Sequence, residues 1–414
     1  MTQNTDAGYP FANSGSLLDG VVVIEHAKGV AGSYAGKLLA MMGATVIKIE
    51  DPKGGDNLRR EYPLLNVASH LSSLFTYLNV NKASVTLDCL NSLGGKVLVE
   101  MLDRADLFID DTPLDTRDGS TVDVTRLRDA CPNLVYLSVL PFGAVGPHSR
   151  FVASELNLFH SGGEGYLLPN GLALDLFPDR PPIKAYGHVG EFQGGISAAI
   201  AGVAALLAVP SVGGQFVDVS VQDANVALSA MNLQRFGDGV LENRPIRSFT
   251  YGGVLPCRDG YVEILVIQQR HWETLREMLG SPAWCMDPEL DDHVARGARG
   301  KEINEHLRAW SADQDADDIV ALARQHGVPL GKFYSTRDVL ESEHELARGF
   351  IQTLSMDDGT EISMPSMPFR VSHATQATIN YLAEVPGQDT DAVLGEWLGH
   401  TRDELIRWHA EGVT

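Results

Sequence analysis

At 414 residues the chain is longer than a single hydrophobic core usually supports, so two domains are expected. With 44% hydrophobic and 21% charged residues its composition is that of a globular protein, and a formal net charge of −22 argues against nucleic acid or an anionic membrane as partner. Cys89, Cys131, Cys257 and Cys285 lie far apart with no C-x-x-C or metal-ligand spacing, and no HExxH pair occurs, so no metal site is expected and a reducing, cytoplasmic compartment is implied.

The first 16 residues are polar, without a basic region followed by an apolar one, and read as a disordered leader. Residues 21–24 and 45–49 are continuous apolar runs, as strands buried on both faces of a parallel sheet require. Between them Ala31, Ala35, Leu38, Leu39 and Met42 recur at helical spacing, giving a βαβ unit with a right-handed crossover. Gly29, Gly32 and Gly36 follow G-x-x-G-x-x-x-G, which is not the dinucleotide pattern G-x-G-x-x-G, so a nicotinamide or flavin dehydrogenase is disfavoured. Residues 17–82 hold seven basic side chains (Lys28, Lys37, Lys48, Lys53, Arg59, Arg60, Lys82) against six acids (Asp19, Glu25, Glu50, Asp51, Asp56, Glu61), a local relief of negative charge that suits an anionic ligand or a solvated surface.

Further along, residues 85–87 read as a strand, 92–102 as an amphipathic helix, 107–109 as a strand ending in acids, and 133–139 as a strand before the loop PFGAVGP. The α/β block closes with the small-residue helix GISAAIAGVAALLAV; no apolar run approaches the roughly 18 residues of a membrane span. Residues 217–232 read as a helical connector, 251–267 as two strands about Arg258-Asp259-Gly260, 271–327 as short helices, and the tail from Asp389 as two more. The expected division is a large Rossmann-like domain over 17–210, a linker helix over 211–232, a small α+β domain over 233–330, and a return into the large domain over 331–414.

The segments LLDGVVVIEHAKGVAGSYAGKLLAMMGATVIKIEDPKGGDNLRR, NVNKASVTLD, NLVYLSVLPFGAVGP, GGVLPCRDGYVEI, HGVPLGKFYSTRDVLES and DAVLGEWLGHTRDELIRWHAEGV, in this order and over about nine-tenths of the chain, resemble the family III CoA-transferases of the CaiB/BaiF type. That group includes formyl-CoA:oxalate, carnitine and benzylsuccinate CoA-transferases and α-methylacyl-CoA racemase. The resemblance implies an interlocked dimer, acyl-CoA and a carboxylic acid as substrates, and no cofactor beyond the CoA esters themselves. It also implies a carboxylate that attacks the thioester and becomes an enzyme-CoA thioester.

In the family that carboxylate is an aspartate soon after the glycine-proline loop; here the matching position in FVASELNLF is Glu155. Glutamate brings the same group on a longer arm, or serves only as a helix N-terminal acid. Glu191 stands where racemases carry a second aspartate, and Ser154 where they carry a histidine, so the two-base racemase reaction is less expected. Glu191 would position the acceptor or Glu155, or act as an ordinary helix-start acid.

For CoA the resemblance implies Val30 at the helix start and Arg59, Arg60 and Lys82 at the phosphates. After the fourth strand, members usually carry E-N-F-R-P-G, whereas this chain has IDDTPLD, losing an aromatic and an arginine of the CoA channel. Those departures leave two readings open: a transferase using Glu155, with succinyl-CoA as one conceivable donor, or a non-catalytic subunit paired with a paralogue. Lys184, His188, Gln193 and Arg235 are further polar candidates for a second carboxylate, and the glycines of 162–165 and 250–253 for backbone donors or turns.

Overall fold

A computed structural model describes residues 15–65, 71–168, 179, 181–229, 251–375 and 378–414. Arg235, Thr250, the leader up to residue 14 and the end of the expected linker helix lie outside them. The chain forms two compact units: Met1–Gly163, Ala185–Ala230 and Ser342–Thr414 make the first, and Glu164–Lys184 with Met231–Glu341 the second. The segment 164–184, expected within the large domain, thus groups with the second unit.

In the first unit six parallel strands, β1 (Val22–His26), β2 (Thr45–Glu50), β3 (Lys82–Thr86), β4 (Leu107–Asp110), β5 (Val135–Leu140) and β6 (Phe216–Ser220), lie in the order β3-β2-β1-β4-β5-β6. Helix α1 (Val30–Met41) joins β1 to β2. Helices α2 (Ser73–Asn79), α3 (Ser92–Leu102), α4 (Leu114–Arg117) and α5 (Val124–Ala130) follow, then α6 (Glu155–Ser161), α8 (Val189–Val212) and α9 (Val221–Leu228). Alternate residues of one strand feed two cores: Val23, Val46, Leu107 and Leu137 on the α1/α8 side, and Ile24, Ile47, Phe108 and Tyr136 on the α3 side. That is why these strands read as unbroken apolar runs.

The expected connector over 217–232 begins differently. Residues 216–220 alternate Phe-Val-Asp-Val-Ser and add the edge strand β6 beside β5 before α9 starts, with Ser220 capping α9. The apolar run is also longer than expected. Over its 24 residues α8 holds a window of mean hydropathy 2.0, long and apolar enough by length and composition to cross a membrane. Its small residues explain that composition, since a Cβ on Gly195 would lie 2.7 Å from the Ala31 carbonyl oxygen of α1. Close approach of two helices, which glycine permits, is what this face of α8 is built for.

The return segment pairs β10 (Ile351–Ser355) with β11 (Glu361–Pro365), then runs past β3, where Asn81 N–H donates to Tyr381 O at 2.8 Å and Ser84 N–H to Asp389 Oδ2 at 2.7 Å. Two further elements, Asp391–Trp397 and Arg402–Ala410, cover the α3 side through Val393, Leu394, Leu405 and Trp408. In the second unit, which also contains α7 (Glu164–Leu167), β7 (Gly253–Cys257), β8 (Gly260–Ile264) and β9 (Leu330–Lys332) form an antiparallel sheet around the expected Arg258-Asp259-Gly260 turn. Helices Gln269–Met278, Gly300–Ser311 and Ala316–His326 pack Trp272, Leu275, Ile303, Leu307 and Ile319 on it.

Candidate active site

The chain reverses direction across the sheet between β1 and β4, and a crevice at the carboxyl ends of the strands is expected at such a point. A cavity of about 230 Å³ lies there. The first turn of α1 (Gly29 to Gly32), Asp111 after β4, Leu140 at the end of β5 and the loop 149–153 line it, with Leu158 of α6, Glu191 of α8 and Val221 of α9. Val30, expected at the ligand, is among these residues.

Glu155 is the first residue of α6 and is buried. Its Oε1 accepts the Gly190 N–H at 3.1 Å and its Oε2 the Glu191 N–H at 2.9 Å. Both N–H groups belong to the first turn of α8, which has no intrahelical partner for them and whose dipole favours negative charge. Glu155 therefore joins two helix starts, beside Glu191. The Glu191 carboxylate in turn lies 2.7 Å from Nδ1 of His188, and this hydrogen bond raises the imidazole above the usual histidine range. The structure thus brings Glu155, Glu191 and His188 together. Gln193 lies two residues beyond Glu191 in α8, about half a turn around the helix, and Lys184 belongs to the second unit.

Arg59 and Lys82, expected at phosphates, are instead buried in ion pairs. Arg59 Nη2 and Nε meet the two Glu50 oxygens at 2.6 and 2.7 Å, and its Nη1 donates to the carbonyls of Ala383 and Glu384. The guanidinium thereby ties the returning chain to the end of β2. Lys82 Nζ lies 2.7 Å from Glu25 Oε2, while Lys48 Nζ lies 3.0 Å from Glu25 Oε1 and 2.8 Å from Asp56. Burial pulls the Lys82 ammonium down to about 8 against the pull of Glu25. Three of the seven cations over residues 17–82, Lys48, Arg59 and Lys82, are thus spent on buried carboxylates inside the fold. Gly36 serves the same cluster: a Cβ there would fall 1.8 Å from Glu25 Oε2. Arg60 alone of the expected phosphate ligands is exposed, its Nη1 donating to the Gly54 carbonyl at 2.7 Å. The glycines of 162–163 end α6, and Gly252 donates its N–H to Asn304 within the second unit.

Two cleft residues escaped the sequence reading. Asp111 accepts the Lys28 N–H on both oxygens at 3.0 Å and the Gly29 N–H at 2.6 Å, so an internal carboxylate occupies the amino end of α1. Burial, reinforced by the adjacent Asp110, pushes its carboxyl up to about 6. Asp110 itself is held from below by His26, Thr112 and Tyr136. The signal was IDD at the carboxyl end of a strand flanking the switch point. Arg150 is the second, in GPHSRF between the glycine-proline loop and Glu155. Among the described residues no cluster of three or more histidine, cysteine, aspartate or glutamate side chains could hold a metal ion.

The family model described as CoA-transferase family III matches residues 18–390. Succinyl-CoA–D-citramalate CoA-transferase of Chloroflexus aurantiacus is 27% identical over 96% of this chain and 98% of that protein. Formyl-CoA:oxalate CoA-transferase of Streptomyces avermitilis is 29% identical over 86% and 89%. Among solved structures, a CAIB/BAIF family protein from Brucella suis superposes with a TM-score of 0.81 at 25% identity, over 92% of this chain and all of that one.

Proposed function

The chain belongs to CoA-transferase family III and is an enzyme of the transferase class, and we propose that it moves CoA from an acyl-CoA donor, succinyl-CoA among them, to a carboxylic acid through Glu155. The observation that carries this reading is the placing of Glu155 beside the cleft-lining Glu191, with each of its oxygens fixed by an N–H of α8. A carboxylate so oriented is ready to attack without first being ordered.

In the first half-reaction a Glu155 oxygen attacks the thioester carbonyl carbon, the C–S bond breaks, and a mixed anhydride and CoA thiolate form. The thiolate then attacks the glutamyl carbonyl carbon, releasing the donor acid and leaving a glutamyl-CoA thioester. The acceptor carboxylate repeats the sequence in reverse, so its acyl group leaves on CoA and Glu155 is freed. The cavity of about 230 Å³ is smaller than the roughly 300–1,000 Å³ of whole-ligand sites, which suits the acyl and thioester end alone. The nucleotide then lies outside it, with Val30 at the inner end of its path and exposed Arg60 as the cation available to a phosphate. Glu191 and His188 position the reacting acids, while Arg59 and Lys82 act by holding Glu50 and Glu25. The chemistry calls for no cofactor beyond CoA, and four widely spaced free cysteines support a reducing compartment such as the cytoplasm.

One observation favours a second reading. The hydrogen bonds that orient Glu155 also make it a cap for α8, and Asp111 fills the amino end of α1, as in a subunit that keeps the fold while a paralogous partner reacts. An exchange assay with succinyl-CoA and a panel of acids, using the purified chain and its Glu155→Gln variant, separates them: turnover abolished by the substitution supports catalysis here, and no turnover without a partner supports the scaffold. In either case we infer an interlocked dimer, supported by the exposed Ile196, Ile200 and Leu207 on one face of α8.

A further inference from the structure

Among the described residues lining the cleft, Arg150 is the single basic one, sharing it with Asp111, Asp115 and Glu191. Its two terminal nitrogens are engaged by Asp115 and Asp118. All three side chains are open to water, at 51% exposure for Arg150, 70% for Asp115 and 51% for Asp118. Ion pairs this wet contribute little, because each partner keeps most of its hydration whether or not the pair forms. A carboxylate entering the cleft would meet the same planar fork, whose geometry matches a carboxylate through two parallel N–H···O bonds. Asp115 and Asp118 would return to water at small cost. The rest of the wall, including Val30, Leu140, Val152 and Leu158, suits methylene groups and offers no other charge to offset Asp111 and Glu191.

We propose that Arg150 sets the substrate class: acids carrying a second carboxylate, which takes the place of Asp115 and Asp118 on the guanidinium while the carbon chain lies on the apolar wall. An acid with one carboxylate, the reacting one, draws nothing from this residue. The proposal rests on the CoA-transfer reading only for the fate of the other carboxylate.

The test is titration calorimetry of the full chain with glutarate and with butyrate, in the parent and in Arg150→Gln and Asp118→Asn variants. Glutarate should bind the parent about tenfold more tightly than butyrate, as one charge-assisted contact allows. Arg150→Gln should erase that preference, and Asp118→Asn, which removes a competitor, should strengthen glutarate on the order of twofold to fivefold. Equal binding of the two acids by the parent, or a preference that survives Arg150→Gln, overturns the proposal. So does a variant that loses CoA affinity in place of glutarate affinity, since the guanidinium would then read a phosphate. A transfer assay with both acids keeps the two ideas apart. A glutarate preference that follows Arg150 without any CoA transfer upholds this inference and refutes the transferase reading. Transfer to both acids alike in parent and variant does the reverse.

Discussion

Replacing Asp111 by asparagine keeps the side chain's size and one oxygen to accept the Lys28 and Gly29 N–H groups, while it removes the charge and one of the two acceptors facing Lys28. In the folded chain burial raises this carboxyl from 3.8 to about 6, so between those values the folded state holds a proton that the unfolded state has released. The stability contributed by the neutral acid is fully present below pH 3.8 and is lost as pH rises through 6. At 1.36 kcal/mol per unit the loss is at most about 3 kcal/mol, and water in the cleft reduces it to about 1–2 kcal/mol. Asp111→Asn should therefore stabilise the protein by about 1–2 kcal/mol at pH 7–8, and the gain should fade between pH 6 and 4. Urea unfolding at intervals of one pH unit, for parent and variant at equal protein concentration, measures it. A gain that does not change with pH, or a net loss at pH 7, would refute the argument.

Lys37 is buried in α1 with no hydrogen-bond partner for Nζ among the described residues, and the nitrogen sits 3.0 Å from the Tyr77 ring centroid. Burial, with Lys82 nearby, pulls it well below the usual lysine value, so its cost to stability grows as pH falls from 10.5 toward the folded value. Lys37→Met should stabilise by about 1–3 kcal/mol at pH 7, with the gain vanishing near pH 10.5 in thermal unfolding. An interlocked dimer cannot part without unfolding, so sedimentation at nanomolar protein should show no folded monomer, and a folded monomer there would contradict it.

The first unit was legible in the sequence because strands covered on both faces leave an unmistakable apolar run, as at Val23-Ile24 and Val46-Ile47. Strand β6 was not, because a sheet edge needs only the alternation of Phe216, Val217 and Val219, and α9 follows it with no intervening turn. Arg59 and Lys82 were misplaced for another reason. Whether a cation meets phosphate or carboxylate depends on which acid the fold brings near, and Glu25 and Glu50 lie 57 and 9 residues away in the chain from Lys82 and Arg59. Glu155, Glu191 and Val30 were singled out through the family resemblance, and what the structure adds is that all three stand in the first turn of a helix. Asp111 was overlooked since IDDTPLD reads as a lost motif, when its second aspartate is a carboxylate placed in the cleft.

CoA transfer through Glu155 requires a covalent glutamyl-CoA thioester at that residue. Incubating the protein with succinyl-CoA and no acceptor, trapping with hydroxylamine, and mapping the product by mass spectrometry tests it most directly. A hydroxamate on the peptide containing Glu155, absent from the Glu155→Gln variant although that variant still binds CoA, is the predicted result. No adduct at Glu155, with the Glu155→Gln chain as active as the parent in the presence of a paralogous subunit, would contradict it.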